Sequence, residues 1–151
     1  MPTLTESEIE KFLSTGANTL KLATLSPDGY PYVVPLWFWY ENNKLMLGAR
    51  RQNEWLKHIE ANSKVGVCID TPPPGPRVLI RGTAAILDRS WIGDWEPHAI
   101  RYTGQEAGHA YYEKTKSIPR VLVAIEPEKV LSWTGSDWHP KYYEDFGKPT
   151  D

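Results

Sequence analysis

Residues 32–40 read YVVPLWFWY, and this unbroken apolar run restricts the possible folds more than any other segment of the chain. Alternate residues of an extended strand point to opposite faces. The run therefore divides into two sets: Tyr32, Val34, Leu36, Phe38 and Tyr40 on one face, and Val33, Pro35, Trp37 and Trp39 on the other. Both faces are apolar, so both need to be covered. The interior of a barrel covers one face, and a second copy of the chain is the simplest cover for the other.

Turn signals between apolar segments predict an antiparallel meander rather than alternating strands and helices. Pro27, Asp28 and Gly29 indicate one turn, and Asn42 and Asn43 indicate the next. We expect strands at residues 19–26, 32–40, 44–48, 65–69, 77–87 and 120–133, and helices at residues 5–16, 53–61, 91–98 and 105–116. The prediction is a mainly β (α+β) fold, an antiparallel six-stranded barrel with short peripheral helices, in a single domain of residues 1–151.

Three local signals refine this prediction. Thr5 and Glu8 have the spacing of a capping box at the start of the first helix. Gly82 lies inside the fifth strand, where a glycine often indicates a bulge or a sharp bend. Pro127 is expected to interrupt the last strand, because proline cannot donate a ladder hydrogen bond.

The composition narrows the class of function. The formal net charge is −2 and the pI is about 6.1, so no general attraction to nucleic acid is expected. No apolar run approaches the roughly 20 residues that a membrane helix needs, and the acidic first helix does not resemble a secretory signal. The single cysteine, Cys68, cannot form an intrachain disulfide. We therefore expect a cytoplasmic protein without nucleic-acid or membrane partners, and, since the histidines share no ligand spacing, no metal site.

Arg50 and Arg51 directly precede the helix predicted at residues 53–61. Unpaired N–H groups at a helix start, together with two guanidinium groups, would bind a phosphate. The simpler alternative is a solvated turn in which Asn53 only caps the helix.

Pro35 falls within the strongest strand pattern, so that strand lies at an edge or beside something other than a strand. A flat heteroaromatic ring could use the main-chain groups left there, although an ordinary edge strand explains the proline equally well. Trp133 and Trp138, beside Gly135, are suited either to enclosing a planar ligand or to packing as a C-terminal plug.

Five segments, taken in order, resemble the flavin-binding split barrel of the pyridoxamine 5'-phosphate oxidase-like superfamily. They are YVVPLW at 32–37, the Arg50-Arg51 turn with its helix through Ile59, VGVCI at 65–69, VLIRGTA at 78–84 and IEPEKVLSW at 125–133. The resemblance covers roughly residues 5–135. It implies a six-stranded antiparallel split barrel that forms a homodimer, with FMN at the interface between the subunits.

The resemblance also assigns cofactor-binding residues. Val34, Pro35 and Leu36 would line the isoalloxazine ring. The phosphate would lie against the turn and helix start at Arg50, Arg51 and Asn53, with Lys57 as a substitute source of positive charge, and Trp55 is also counted among the cofactor-binding residues. Arg77 and Trp133 would reach the ring from the other subunit.

The sequence departs from the family pattern at the helix start. The usual Ser-Arg-Lys aligns with Asn53, Glu54 and Trp55, so two basic phosphate ligands are replaced. Vitamin B6 oxidation is not expected, because the substrate-phosphate ligands have no counterparts after Trp133. The implied function is that of an FMN-dependent oxidoreductase acting on an unidentified small molecule, with no catalytic side chain assigned. The alternatives are a deazaflavin-dependent reductase, with Arg77 and Arg81 supplying a basic groove, and a non-catalytic flavin- or haem-binding protein.

Overall fold

The computed structural model describes residues 3–136. Its strands are β1 (Leu20–Leu25), β2 (Pro31–Leu36), β3 (Trp39–Glu41), β4 (Lys44–Ala49), β5 (Lys64–Asp70), β6 (Arg77–Trp91) and β7 (Arg120–Trp133). Its helices are α1 (Glu6–Ser14), α2 (Trp55–Ala61), α3 (Glu96–Thr103) and α4 (Gln105–Thr115). The predicted role of Trp138 lies outside the described residues.

All seven described strands form one antiparallel sheet in the order β2-β1-β5-β6-β7-β4-β3. The two edge strands, β2 and β3, are consecutive in the chain, so the sheet curls round until its edges meet at residues 37 and 38. This is the predicted mainly β, antiparallel split barrel. The predicted strand count of six is wrong, because the run at residues 32–40 forms two strands instead of one.

Phe38 explains why that run divides. Its ring is only 1% exposed. Its main-chain N–H donates to the Tyr102 hydroxyl at 3.2 Å, and its carbonyl accepts from the Arg101 guanidinium at 3.1 Å. Side chains of α3 therefore satisfy the main-chain groups that a continuous strand would pair with a neighbour.

The core lies inside the curled sheet and follows the alternation of the strands. In β1 and β5 every second residue is buried, and α1 and α2 close the barrel with Leu13, Trp55 and Ile59. Each fully buried aliphatic or aromatic side chain contributes roughly 1.5–3 kcal/mol. Core side chains that the strands contribute include Leu20, Leu22, Leu45, Leu47, Val67, Ile69, Val78, Ile80, Val123 and Ile125.

The predicted bulge at Gly82 is confirmed. Arg81 pairs with Lys129 but Gly82 pairs with Pro127, so the strands lose register by one residue at this point. A Cβ on residue 82 would collide with the main-chain carbonyl of Glu126. The bulge also accommodates Pro127, which does not interrupt β7 as the sequence predicted.

The other local predictions are mixed. The capping box is confirmed, since the Thr5 hydroxyl accepts from Glu8 N–H at 3.2 Å and the Glu8 carboxylate accepts from Thr5 N–H at 2.8 Å. The helix predicted at residues 91–98 is wrong, because β6 runs on to Trp91 and α3 begins only at Glu96, beside Pro97. None of the helices within residues 3–136 is long and apolar enough to cross a membrane.

Candidate cofactor-binding site

A cleft of about 360 Å³ lies where β2, the end of β4 and the following turn come together. Two residues from beyond β6 complete it, Tyr111 on α4 and Arg120 at the start of β7. Its lining residues are Val34, Pro35, Leu36, Trp37, Leu47, Gly48, Ala49, Arg50, Asn53, Trp55, Tyr111 and Arg120. The cleft is therefore apolar along the strands and basic at the turn.

The β2 wall of the cleft is a sheet edge. β2 pairs only with β1 among the described strands, with Pro35 opposite Lys21. Tyr32, Val34 and Leu36 pack against the core, whereas Val33 is 64% exposed and Pro35 is also exposed. The apolar residues on both faces of β2 confirm the sequence pattern, and one of these faces is uncovered in a single chain.

Two arginines hold a phenol at the basic end of the cleft. The Arg50 guanidinium donates to the Tyr111 hydroxyl at 2.8 Å, and the Arg120 guanidinium donates to the same oxygen at 2.9 Å. Arg120 also stacks over the Trp95 ring, with its central carbon 4.1 Å from the ring centroid. Burial acts to raise the pKa of Tyr111, but the hydrogen bonds and charges of Arg120 and Arg50 outweigh it and lower that pKa below 10.0.

A smaller cleft of about 270 Å³ adjoins the first and shares Arg50, Tyr111 and Arg120 with it. Its remaining lining residues are Arg51, Gln52, Thr115, Ile118 and Pro119. The Arg51 guanidinium donates to the Ser90 hydroxyl at 2.9 Å. Within residues 3–136, no carboxylate lies within 4.0 Å of any of the three arginines.

Trp55 leaves a polar atom unsatisfied beside the larger cleft. Its side chain is 1% exposed, and its indole N–H has no hydrogen-bond acceptor within the described part of the chain. A buried donor without an acceptor costs roughly 1–3 kcal/mol. Trp55 lines the larger cleft, and a ligand acceptor that reached its indole N–H would remove this cost.

Stacked aromatic rings fix α3 and α4 against the connection between β2 and β3. Trp37 stacks on Tyr102 with centroids 5.1 Å apart, and Trp39 stacks on His98 at 4.3 Å. Burial, with the charge of Arg101 nearby, lowers the pKa of His98. On α4, Tyr111 makes edge-on contacts with Trp37 and Trp95, with centroids 6.0 and 5.3 Å apart, and these contacts hold its ring beside the arginines.

The model of the family described as pyridoxamine 5'-phosphate oxidase matches residues 5–134. The chain belongs to this family. No curated protein sequence matches the chain significantly.

Solved structures support the family assignment at the level of the fold. An F420 reductase is 23% identical with a TM-score of 0.64, over 86% of this chain and 98% of that one. A FAD-binding protein from Mesorhizobium loti is 24% identical with a TM-score of 0.61, over 87% and 93%. HutZ, a haem storage protein from Vibrio cholerae, is 18% identical with a TM-score of 0.62, over 86% and 96%.

This member of the pyridoxamine 5'-phosphate oxidase family brings together six of the ten cofactor-binding residues predicted from its sequence. The six that line the larger cleft are Val34, Pro35, Leu36, Arg50, Asn53 and Trp55. Arg51 lines only the smaller cleft, and Lys57 is exposed on α2 and lines none of the clefts described here. The alternative in which Asn53 caps the helix is wrong, because α2 begins at Trp55 and its N-cap is Glu54, which makes no side-chain capping bond.

Arg77 and Trp133 lie apart from the clefts of their own chain. They are paired across β6 and β7, with the Arg77 guanidinium 5.6 Å from the centroid of the Trp133 ring. Arg77 also donates to the Gly135 carbonyl. Their predicted contact with a cofactor bound to another subunit stays a prediction.

Tyr111 and Arg120 are the polar residues of the larger cleft that sequence reasoning missed in this family member. They lie more than fifty residues beyond the arginine turn, and no motif links the two segments. The only sequence signal is Arg120 itself, a charged residue at the first position of an apolar strand.

Within residues 3–136, no group of three or more His, Cys, Asp or Glu side chains is placed to hold a metal ion.

Proposed function

We propose that the chain is a flavin-dependent oxidoreductase that binds FMN, or a cofactor containing the same ring and phosphate, in the larger cleft. One observation carries this proposal. Two guanidinium groups without carboxylate partners in the described chain meet at one end of a cleft whose other wall is a free strand edge with a proline. A ligand with an anionic end and a flat, polar ring matches both ends of this cleft.

The phosphate would lie against Arg50 and Arg120, with Asn53 beside them. Guanidinium groups bind phosphate through charge-assisted hydrogen bonds, each contributing roughly 1.5–3 kcal/mol. Tyr111 accepts a hydrogen bond from each arginine and so holds both side chains in place before a ligand arrives. This preorganisation lowers the entropic cost of binding.

The ring would lie along β2, beside Val34, Pro35 and Leu36. A free strand edge offers main-chain donors and acceptors of the kind that a flavin ring pairs with. A cofactor oxygen would also supply the acceptor that the Trp55 indole N–H lacks. An F420 reductase and a FAD-binding protein share this fold, which supports a flavin-type cofactor for this chain.

We further propose a homodimer in which each cleft is completed by a second copy. The face of β2 that a single chain leaves exposed continues across the sheet through Lys21 and Cys68 to the exposed Leu79, and Lys21 is paired with Asp70. A second copy covering this face would bring its own Arg77 and Trp133 towards the ring, as the family resemblance implies. We expect the protein to act in the cytoplasm, because its only cysteine, Cys68, cannot form an intrachain disulfide.

The bound flavin would supply hydride or electron transfer to a small molecule. The residues of this chain bind and orient rather than react: the arginines fix the phosphate, and Trp37 and Trp55 form apolar walls that exclude water. No side chain is required to act as a strong acid or base. Steady-state reduction of an acceptor by NAD(P)H, with turnover, separates this function from that of a non-catalytic flavin- or haem-binding protein.

The test is to titrate the double variant, which carries both Arg50→Gln and Arg120→Gln, with FMN. We expect the affinity to fall about 100-fold or more, since two charge-assisted contacts are removed. Arg89→Gln is the matched control, because Arg89 is exposed, pairs with Glu60 and lines none of the described clefts. The single variant Arg50→Gln, at an exposed position, covers the case in which loss of Arg120 disturbs folding. Unchanged FMN affinity in a folded variant would refute the phosphate assignment.

A further inference from the structure

The Tyr111 hydroxyl keeps one hydrogen-bonding group that the protein does not use. Its oxygen accepts from the Arg50 guanidinium at 2.8 Å and from the Arg120 guanidinium at 2.9 Å. These two bonds occupy the lone pairs of the phenol oxygen, so that its O–H alone remains to be donated. Within residues 3–136 this O–H meets no acceptor. Tyr111 lines both clefts together with the two arginines, so a ligand bound there is the available acceptor.

Packing fixes the phenol and its arginine partners before a ligand arrives. The Tyr111 ring meets Trp37 and Trp95 edge-on. The Arg120 guanidinium lies over the Trp95 ring and donates to the Gly48 carbonyl at 3.4 Å. A guanidinium carries five N–H groups, so each arginine has N–H groups left for a ligand after its bond to Tyr111. The cluster therefore offers a ligand three donating groups in a fixed arrangement.

The start of α2 explains why a phosphate needs this cluster. Glu54 and Trp55 stand where the family pattern has basic residues, so the helix start supplies fewer phosphate ligands. A phosphate carries three strong acceptor oxygens. We propose that Tyr111 donates its O–H to the cofactor phosphate and completes the set of donors with Arg50 and Arg120. This inference rests on the proposed function and adds a binding residue to that site.

The bond from Tyr111 makes phosphate binding depend on the protonation of its phenol. A phenolate has no proton to donate, and its negative charge repels the phosphate. Burial acts to raise the pKa of Tyr111, whereas the hydrogen bonds and charges of Arg120 and Arg50 lower it, and the arginines prevail. The aromatic groups packed against the ring, Trp37 and Trp95, carry no charge. Affinity for the phosphate is therefore lost at a lower pH than with an ordinary tyrosine.

The experiment titrates the intact, cofactor-stripped protein with FMN and with riboflavin, which has the same ring but no phosphate. In the wild type, FMN affinity relative to riboflavin affinity should fall as the pH rises from about 7 to about 10, a range in which the phosphate stays charged. Riboflavin corrects for ionisation of the ring itself. Tyr111→Phe should lower FMN affinity about tenfold or more at about pH 7, leave riboflavin affinity within about twofold, and make their ratio independent of pH. Tyr112→Phe is the matched control, because Tyr112 lines none of the described clefts.

A second comparison separates donation by the phenol from positioning of the arginines. Tyr111→Phe is added to the double variant that carries Arg50→Gln and Arg120→Gln, and FMN affinity is measured at about pH 7. A phenol that binds the phosphate itself gives a further loss of about tenfold in this background. A phenol that acts only through the arginines gives no further loss, and that result would overturn the proposal.

The outcomes distinguish this inference from the proposed function. If FMN binds more tightly than riboflavin but their ratio is constant over this pH range, the phosphate site stands and Tyr111 is not its ligand. If the two bind equally, or neither binds, the proposed function itself fails. The pH series uses the wild type alone, so it decides the inference even where Tyr111→Phe disturbs the fold.

Discussion

Replacing Trp55 with phenylalanine should weaken cofactor binding far more than it changes the stability of the cofactor-free protein. Trp55 is 1% exposed and its indole N–H has no acceptor within residues 3–136. Phenylalanine buries roughly 50 Å² less surface, a loss of about 1.3 kcal/mol at about 25 cal/mol per Å². Removing the unsatisfied N–H returns roughly 1–3 kcal/mol. Because the two terms oppose each other, we expect the free energy of unfolding to change by about 1–2 kcal/mol or less, in either direction.

The free energy of cofactor binding has no second contribution that opposes the loss of the indole N–H. Under the proposed function, a cofactor in the larger cleft supplies the missing acceptor in the wild type and relieves the penalty of roughly 1–3 kcal/mol. Trp55→Phe has no penalty to relieve, so its dissociation constant should rise about 5- to 150-fold. Urea unfolding of the stripped protein measures the first quantity, and fluorescence titration with FMN measures the second.

Trp91→Phe is the matched control for this experiment. Trp91 makes a comparable aromatic contact with Trp39, with centroids 5.7 Å apart, but lines none of the three described clefts. Its substitution should leave FMN affinity unchanged. An unchanged affinity in Trp55→Phe as well would show that the indole N–H does not meet the cofactor, and the place of the ring in this cleft would have to be revised.

Three further predictions concern pH and packing. Tyr111 should form phenolate at a lower pH than a free tyrosine, because its two arginine neighbours outweigh burial. The tyrosinate difference spectrum between wild type and Tyr111→Phe measures the pKa of Tyr111. Glutamine at both Arg50 and Arg120 should move this pKa above 10.0, since burial then acts alone. A tyrosinate spectrum that does not change when the arginines are replaced would contradict the prediction. His109 donates a hydrogen bond to the Glu96 carboxylate, and this bond raises the pKa of His109 above 6.5. The pair therefore stabilises the fold fully below about pH 6.5, and this stabilisation is lost as the pH rises through the raised pKa. The melting temperature of wild type minus that of His109→Gln should therefore fall between pH 6 and 9, and a constant difference would refute the linkage. Gly82→Ala should lower the free energy of unfolding by about 1–3 kcal/mol, because its Cβ collides with a main-chain carbonyl. Gly66→Ala is the control and should lower it by less, because its Cβ meets only a methyl group at 3.6 Å. Equal losses in urea unfolding would contradict the steric explanation.

Most of the fold could be predicted from local patterns in the sequence. Alternation and turn residues located the strands, and the capping box at Thr5 and the bulge at Gly82 are confirmed because both depend on short-range geometry. The divided run at residues 32–40 was not predictable in this way. Its interruption depends on Arg101 and Tyr102, which bond to the main chain of Phe38 from more than sixty residues away.

The candidate site was predictable only in part, for the same reason. Pro35 and Arg50 belong to segments with their own local signals, and the structure brings both to one cleft. Arg51, adjacent in sequence, lines a different cleft, since consecutive side chains in a turn point in different directions. Tyr111 and Arg120 enter the site through the packing of α4 and β7, which no local pattern encodes.

A paired titration of the stripped wild-type protein with FMN and with riboflavin, which lacks the phosphate, tests the claim that the larger cleft binds a phosphate. If the phosphate lies between Arg50 and Arg120, FMN should bind about 100-fold or more tightly than riboflavin, because two charge-assisted contacts of roughly 1.5–3 kcal/mol depend on it. Equal affinities for the two ligands, or no binding of either, would contradict the claim.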